Sequence, residues 1–128
     1  MMVKKEVIDS PRIPKVGPYS QAIRVGDLVF TAGQPGVDPS TGVAAGSDFE
    51  AQARQALANL RAILEDAGSG MERVVKMTCY VAEASAFGTL NSLFAEYFPI
   101  DPPVRSTPVV ALPKGFLISI DAIAIAGH

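Results

Sequence analysis

The stretch PPVRSTPVVALPKGFLISIDAIAI, residues 102–125, decides how the rest of the chain has to be arranged. Two strand-like runs flank Leu112-Pro113-Lys114-Gly115-Phe116, with Arg105 opening the first and Asp121 inside the second. Apolar residues surround both charges. A guanidinium and a carboxylate in otherwise buried strands need partners, because an unpaired buried charge costs several kcal/mol. Either they form a structural ion pair or they await a ligand. Read as a hairpin closed by Pro113-Lys114-Gly115, the stretch pairs Leu112 with Phe116. That register sets Thr107 opposite Asp121 and Arg105 opposite Ile123, so guanidinium, hydroxyl and carboxylate share one face. A slip of one residue would separate them.

Upstream, Ser85 is placed to cap a helix that runs to Phe98 and is stopped by Pro99. Phe87, Leu90, Asn91, Phe94 and Phe98 form one stripe of it, with Asn91 the polar member. Such an asparagine ordinarily ties down a neighbouring backbone. Val74–Val81 alternates as a strand, with Val75, Met77, Cys79 and Val81 on one face. Before it, Ser47 or Asp48 caps a long helix whose apolar positions are three and four apart, ending at Gly68-Ser69-Gly70. Residues 39–46 read as a surface loop. Gly26-Asp27 marks a hairpin turn between a strand ending at Val25 and a return strand over 28–32. Residues 4–9 predict a first short strand, stopped by Ser10-Pro11 and Ile13-Pro14. The order is β-ββ-α-β-α-ββ. Hairpins at both ends predict an α+β fold, a mixed sheet with two helices packed on one face.

At 128 residues the chain is read as one domain, 1–128. Hydrophobic residues make up 48% and charged residues only 19%, below the usual ~25%. So much apolar surface on a small domain predicts a subunit interface. Net charge is −2 and no basic run appears, which argues against nucleic-acid partners. One cysteine suits a reducing compartment, and no run reaches membrane-spanning length, so the expected location is cytoplasmic, away from membranes. Cys79 lacks a histidine partner and reads as a buried structural thiol. With His128 the single histidine, neither a Ser-His-Asp triad nor a zinc site can be assembled. No P-loop or GxGxxG motif is present, and no cofactor is expected.

Gly17-Pro18-Tyr19-Ser20-Gln21-Ala22, Phe30-Thr31-Ala32-Gly33-Gln34, Pro103-Val104-Arg105-Ser106, Leu112-Pro113-Lys114-Gly115 and Ile120-Asp121-Ala122-Ile123-Ala124 together resemble the Rid (YjgF) superfamily. The segment from Ala51 to Leu60 is similar to it too. The resemblance implies a chorismate-mutase-like fold and a homotrimer with a site in each cleft between subunits. It also implies cofactor-free hydrolysis of reactive enamines and imines, typically 2-aminoacrylate. By position, Arg105 would clamp a substrate carboxylate and Asp121 would position water. Backbone groups near Gly33 and Thr107 would hold the imine nitrogen, with Tyr19 and Asn91 lining the cleft. Ala32 stands where a serine is common, removing one donor. A deaminase for a 2-aminomuconate-like compound and a non-catalytic binder of small carboxylates are the other readings.

Overall fold

A computed structural model describes residues 3–127; His128 therefore lies outside the described residues. The chain forms β1 (Lys5–Ile8), β2 (Ala22–Val25), β3 (Leu28–Thr31), the two-residue β4 (Gln34–Pro35), α1 (Phe49–Asp66), β5 (Val74–Val81), α2 (Phe87–Tyr97), β6 (Val104–Ser106) and β7 (Ile118–Ile125). All seven strands join one mixed sheet in the order β1-β2-β3-β7-β5-β6, with β4 also paired to β7. The β5–β6 pairing is parallel and the others are antiparallel. The α+β architecture is thus the expected one.

α1 follows its sequence signals closely. Asp48 caps it, its carboxylate accepting from the Ala51 N–H at 3.4 Å. Gly68 at φ 79° closes it, with Ser69 N–H donating to Leu64 O and Gly68 N–H to Glu65 O. Those two bonds satisfy carbonyls that the helix end would orphan, and glycine alone enters that left-handed conformation without strain. Ala53, Ala56, Leu57, Leu60, Ile63 and Leu64 bury one side against the sheet, over Met77, Cys79, Ile118, Ile120, Ala122 and Ala124. The small residues let the helix come close. At Gly36 an added Cβ would stand 2.2 Å from Gln52 O of α1.

Two expectations give way here. Ser85 does not cap α2: a 3-10 turn over Ala84–Ala86 leads into the helix, and no side chain caps it. Val75 does not share the Met77 face, because the ladder shifts between Val74 and Lys76 and leaves Val75 exposed.

Residues 102–125 depart furthest from the expected arrangement. β6 and β7 are not a hairpin. β5 lies between them, pairing Met77 with Arg105 on one side and Ala122 on the other. Thr107 does not face Asp121, which is opposite Thr78, and Ile123 is opposite Lys76 and Phe30 rather than Arg105. β7 alternates cleanly over eight residues and buries Ile118, Ile120, Ala122 and Ala124, so it takes the centre of the sheet. β6 is three residues long, with Pro103 before it and Pro108 after it. Proline donates no ladder hydrogen bond and suits an edge. Residues 107–117 then follow the end of β5, where Val110 N–H donates to Val81 O, and turn through Lys114 and Gly115, both left-handed, into β7.

Candidate functional site

The parallel register puts Arg105 on the Met77 side of the sheet, under α2. There its guanidinium is held by neutral groups. Nε donates to Thr107 Oγ1 at 2.9 Å and Nη2 to Asn91 Oδ1 at 2.6 Å. Its carbon lies 4.7 Å from the Phe94 ring centroid and 5.3 Å from that of Phe87, within cation–π range. Phe87, Asn91 and Phe94 stand four and three residues apart, which on a helix is one face. The helix therefore serves two directions: Leu90, Leu93 and Phe94 enter the core, while Phe87, Asn91 and one side of the Phe94 ring pack on Arg105.

Among the described residues Arg105 makes no ion pair. Its side-on edge is spent on Thr107 and Asn91. Nη1 and the second Nη2 proton form the end-on edge, which matches a carboxylate with two parallel charge-assisted hydrogen bonds. The Arg105–Asp121 structural pair weighed from the sequence is absent.

Tyr19, Gly33 and Ser119 make a second cluster, lining a cavity of about 350 Å³ with Lys114 and Phe116. Tyr19 lies over Gly17, where an added Cβ would meet the ring at 2.5 Å. Gly33 is similarly constrained, since its Cβ would stand 2.8 Å from Ser119 Oγ. A smaller space of about 20 Å³ behind Tyr19 is bordered by Gln21 and Asn59. These two buried amides hold the walls in place. Gln21 Nε2 donates to Ile13 O at 2.8 Å, and Asn59 Nδ2 to Val37 O at 2.8 Å. Ala32 precedes Gly33, and its N–H donates to Gln21 O at 2.8 Å, so it fixes the strand end that presents Gly33.

Asp121 lies at the edge of the second cluster: one step beyond the Gln34–Ile120 pair, the β4–β7 register sets it opposite Gly33. It shares with Ser119 the sheet face turned away from the helices, opposite Thr78, with Tyr80 and Lys76 nearby. Burial pushes its carboxyl above the ordinary 3.8, opposed by the Lys76 charge and by the Tyr80 and Thr78 hydroxyls. Burial likewise pushes the Cys79 thiol up to about 12, with Arg105 opposing and Asp121 reinforcing the shift. A thiol so protonated is no nucleophile at neutral pH.

The two clusters are separate in one chain. From β4, which presents Gly33, to β6, which presents Arg105, the sheet crosses β7 and β5, three strand spacings or roughly 14 Å. They also face opposite sides. Sequence reasoning missed Phe87 and Phe94 as supports of Arg105, and Ser119, Lys114 and Phe116 as cavity walls. Ser119 lies two residues before Asp121 in an alternating strand, a signal that could have placed it on the same face. Among the described residues, no cluster of three or more His, Cys, Asp or Glu side chains is arranged to hold a metal. No helix among them is long and apolar enough to cross a membrane.

Comparison with known proteins adds a consistent set of likenesses. The family model described as Endoribonuclease L-PSP matches residues 10–126. A RutC family protein from Pyrococcus horikoshii is 46% identical over 122 residues, 94% of this chain and 97% of that one. The human 2-iminobutanoate/2-iminopropanoate deaminase is 40% identical over 125 residues, 96% of this chain and 91% of that one. The crystal structure of Escherichia coli TdcF with bound serine superposes with a TM-score of 0.89 at 36% identity, covering 95% of this chain and 99% of that chain.

Proposed function

The chain belongs to the YjgF/Rid family that the L-PSP model describes, and from that premise we propose that it hydrolyses reactive enamine and imine intermediates to 2-keto acids and ammonia. That its family includes imine deaminases makes it an enzyme of that kind; the proposal adds substrates of the 2-aminoacrylate/2-iminopropionate type and chemistry that needs no cofactor. The observation that carries it is Arg105, fixed by Thr107, Asn91 and two aromatic rings, with its end-on edge turned to no carboxylate among the described residues. An arginine so prepared is suited to the carboxylate that every 2-imino acid carries.

The chemistry asks for little more. The enamine tautomerises to the imine, water adds to the C=N carbon, and the resulting carbinolamine expels ammonia to leave the ketone. Holding the carboxylate fixes that carbon, and neutral donors near the nitrogen favour addition over escape. In this reading Gly33 and Thr107 hold the nitrogen, Tyr19 and Asn91 line the cleft, Ala32 supports it, and Asp121 positions water. Because the Arg105 and Tyr19 clusters lie apart in one chain, the working cleft would form between copies, in a homotrimer of cytoplasmic location. The uncovered sheet face supports such assembly. Phe30 is 40% exposed there and Ile125 45%, beside each other across Ile123.

Arg105→Ala is expected to abolish accelerated ammonia release from 2-aminoacrylate generated in the assay. If the unaltered protein does not outpace spontaneous hydrolysis, the deaminase reading fails. A second reading, a binder of small carboxylates without turnover, is favoured by the serine bound to TdcF. Tight 2-keto acid binding with no turnover of any imine would select it. A ribonuclease reading finds no support in a chain of net charge −2 without a basic run.

A further inference from the structure

The cavity beside Tyr19 is divided in its chemistry. Its polar corner is the close contact of Gly33 with the Ser119 hydroxyl. The remaining walls are apolar: Val16, Pro35, Val37, Leu112, Pro113 and Phe116. Lys114 is the charged member of the lining, and it is exposed, so its ammonium can remain in water. A cavity of about 350 Å³ far exceeds what a methyl group can fill, and would hold roughly ten waters at ~30 Å³ each. Water against apolar walls is poorly held and is displaced favourably by an apolar group.

We infer that this cavity receives the side chain of the substrate, and that the preferred substrates are 2-imino acids with branched or aromatic apolar side chains. The inference rests on the deaminase reading and adds to it the side-chain class. With the carboxylate on Arg105 of one copy and the imine carbon at the Gly33–Ser119 corner of the next, the remaining substituent points into the apolar walls. Covering even one additional methylene with such walls is worth about 10-fold or more in kcat/KM. A side-chain carboxylate would find no paired cation inside, only Lys114 at the rim. The reactions that supply this protein would then be oxidations or eliminations that release imines of the larger apolar amino acids.

A flavin-dependent amino-acid oxidase can generate the imines of alanine, leucine, phenylalanine and glutamate in place, with semicarbazide competing for free imine. Relative kcat/KM follows from keto acid formed against semicarbazone trapped. The leucine- and phenylalanine-derived imines are expected to exceed the alanine-derived one by about 10-fold or more. Val16→Trp, a change at an exposed loop position, should cut that ratio by about the same factor by filling the cavity. Equal acceleration of all four, preference for the alanine- or glutamate-derived imine, or a ratio that Val16→Trp leaves unmoved would each overturn the side-chain inference while the deaminase reading stands. Acceleration of none would overturn both.

Discussion

Asn91 Oδ1 accepts from Arg105 Nη2 at 2.6 Å, a short, charge-assisted bond that sets the plane of the guanidinium. In the proposed site it would act on the carboxylate clamp rather than on the reacting carbon. Asn91→Ala should therefore raise KM by about 10-fold, the scale of one hydrogen bond to a charged group, with kcat changed far less. Steady-state kinetics that showed kcat falling instead would place Asn91 at the chemical step. Asp121 makes a different kind of statement. Its folded-state carboxyl is held above 3.8, mainly by burial, so the native chain keeps a proton that the unfolded chain has lost. Stability is thus greatest below the unfolded value and falls as pH rises through the folded one. Asp121→Asn removes that fall: it should raise the melting temperature at pH 7 by about 1–3 °C and leave it unchanged at pH 3.5. Its carboxyl is only partly buried, which keeps the effect small. A loss of melting temperature at pH 7 would mean that the ionised form is the stabilised one.

At the level of elements, what was readable in the chain and what was not divides by the range of the interactions. α1 was legible because its period, Asp48 cap and Gly68 terminator all act within a turn or two. The β2–β3 turn was legible too, since Gly26-Asp27 supplies the positive φ (56° at Gly26) that a two-residue hairpin needs. The β6–β7 hairpin was misread because two alternating runs near a glycine loop say nothing about a third strand between them. Edge or centre is decided by how much apolar surface each strand must bury, and here β5 and β7 have more to cover than β6. For the same reason Arg105 and Asn91 were each identifiable, yet their contact was not: it depends on α2 crossing over β6. The site also depends on a close approach that only glycine permits. Gly36→Ala would drive a Cβ to 2.2 Å from the Gln52 carbonyl, a backbone atom that cannot swing aside. Urea unfolding should show a loss of about 1–3 kcal/mol, the usual cost of overpacking. An unchanged midpoint would mean that α1 moves off β4 freely.

For the whole molecule, the decisive fact is that Arg105 and Gly33 lie on different faces of one sheet, roughly 14 Å apart. In the proposed cyclic trimer, heterologous contacts would bring the Arg105 cluster of each copy to the Gly33 cluster of the next. This arrangement has a consequence that an intrachain site cannot imitate. Arg105→Ala disables one half of every cleft. Gly33→Leu disables the other, since its side chain collides with Ser119 and fills the polar corner. Each variant alone should be inactive. Unfolded together in equal amounts and refolded, they form mixed trimers in about three-quarters of cases, and each mixed trimer has one cleft in three with both halves intact. Activity should therefore return to about a quarter of that of the unaltered protein, with light scattering giving three times the 13.4 kDa chain mass. If each site lies within one chain, both halves are never intact together and mixing restores nothing. A refolded mixture that is trimeric but inactive would refute the shared cleft, because assembly would then be present without the complementation it requires.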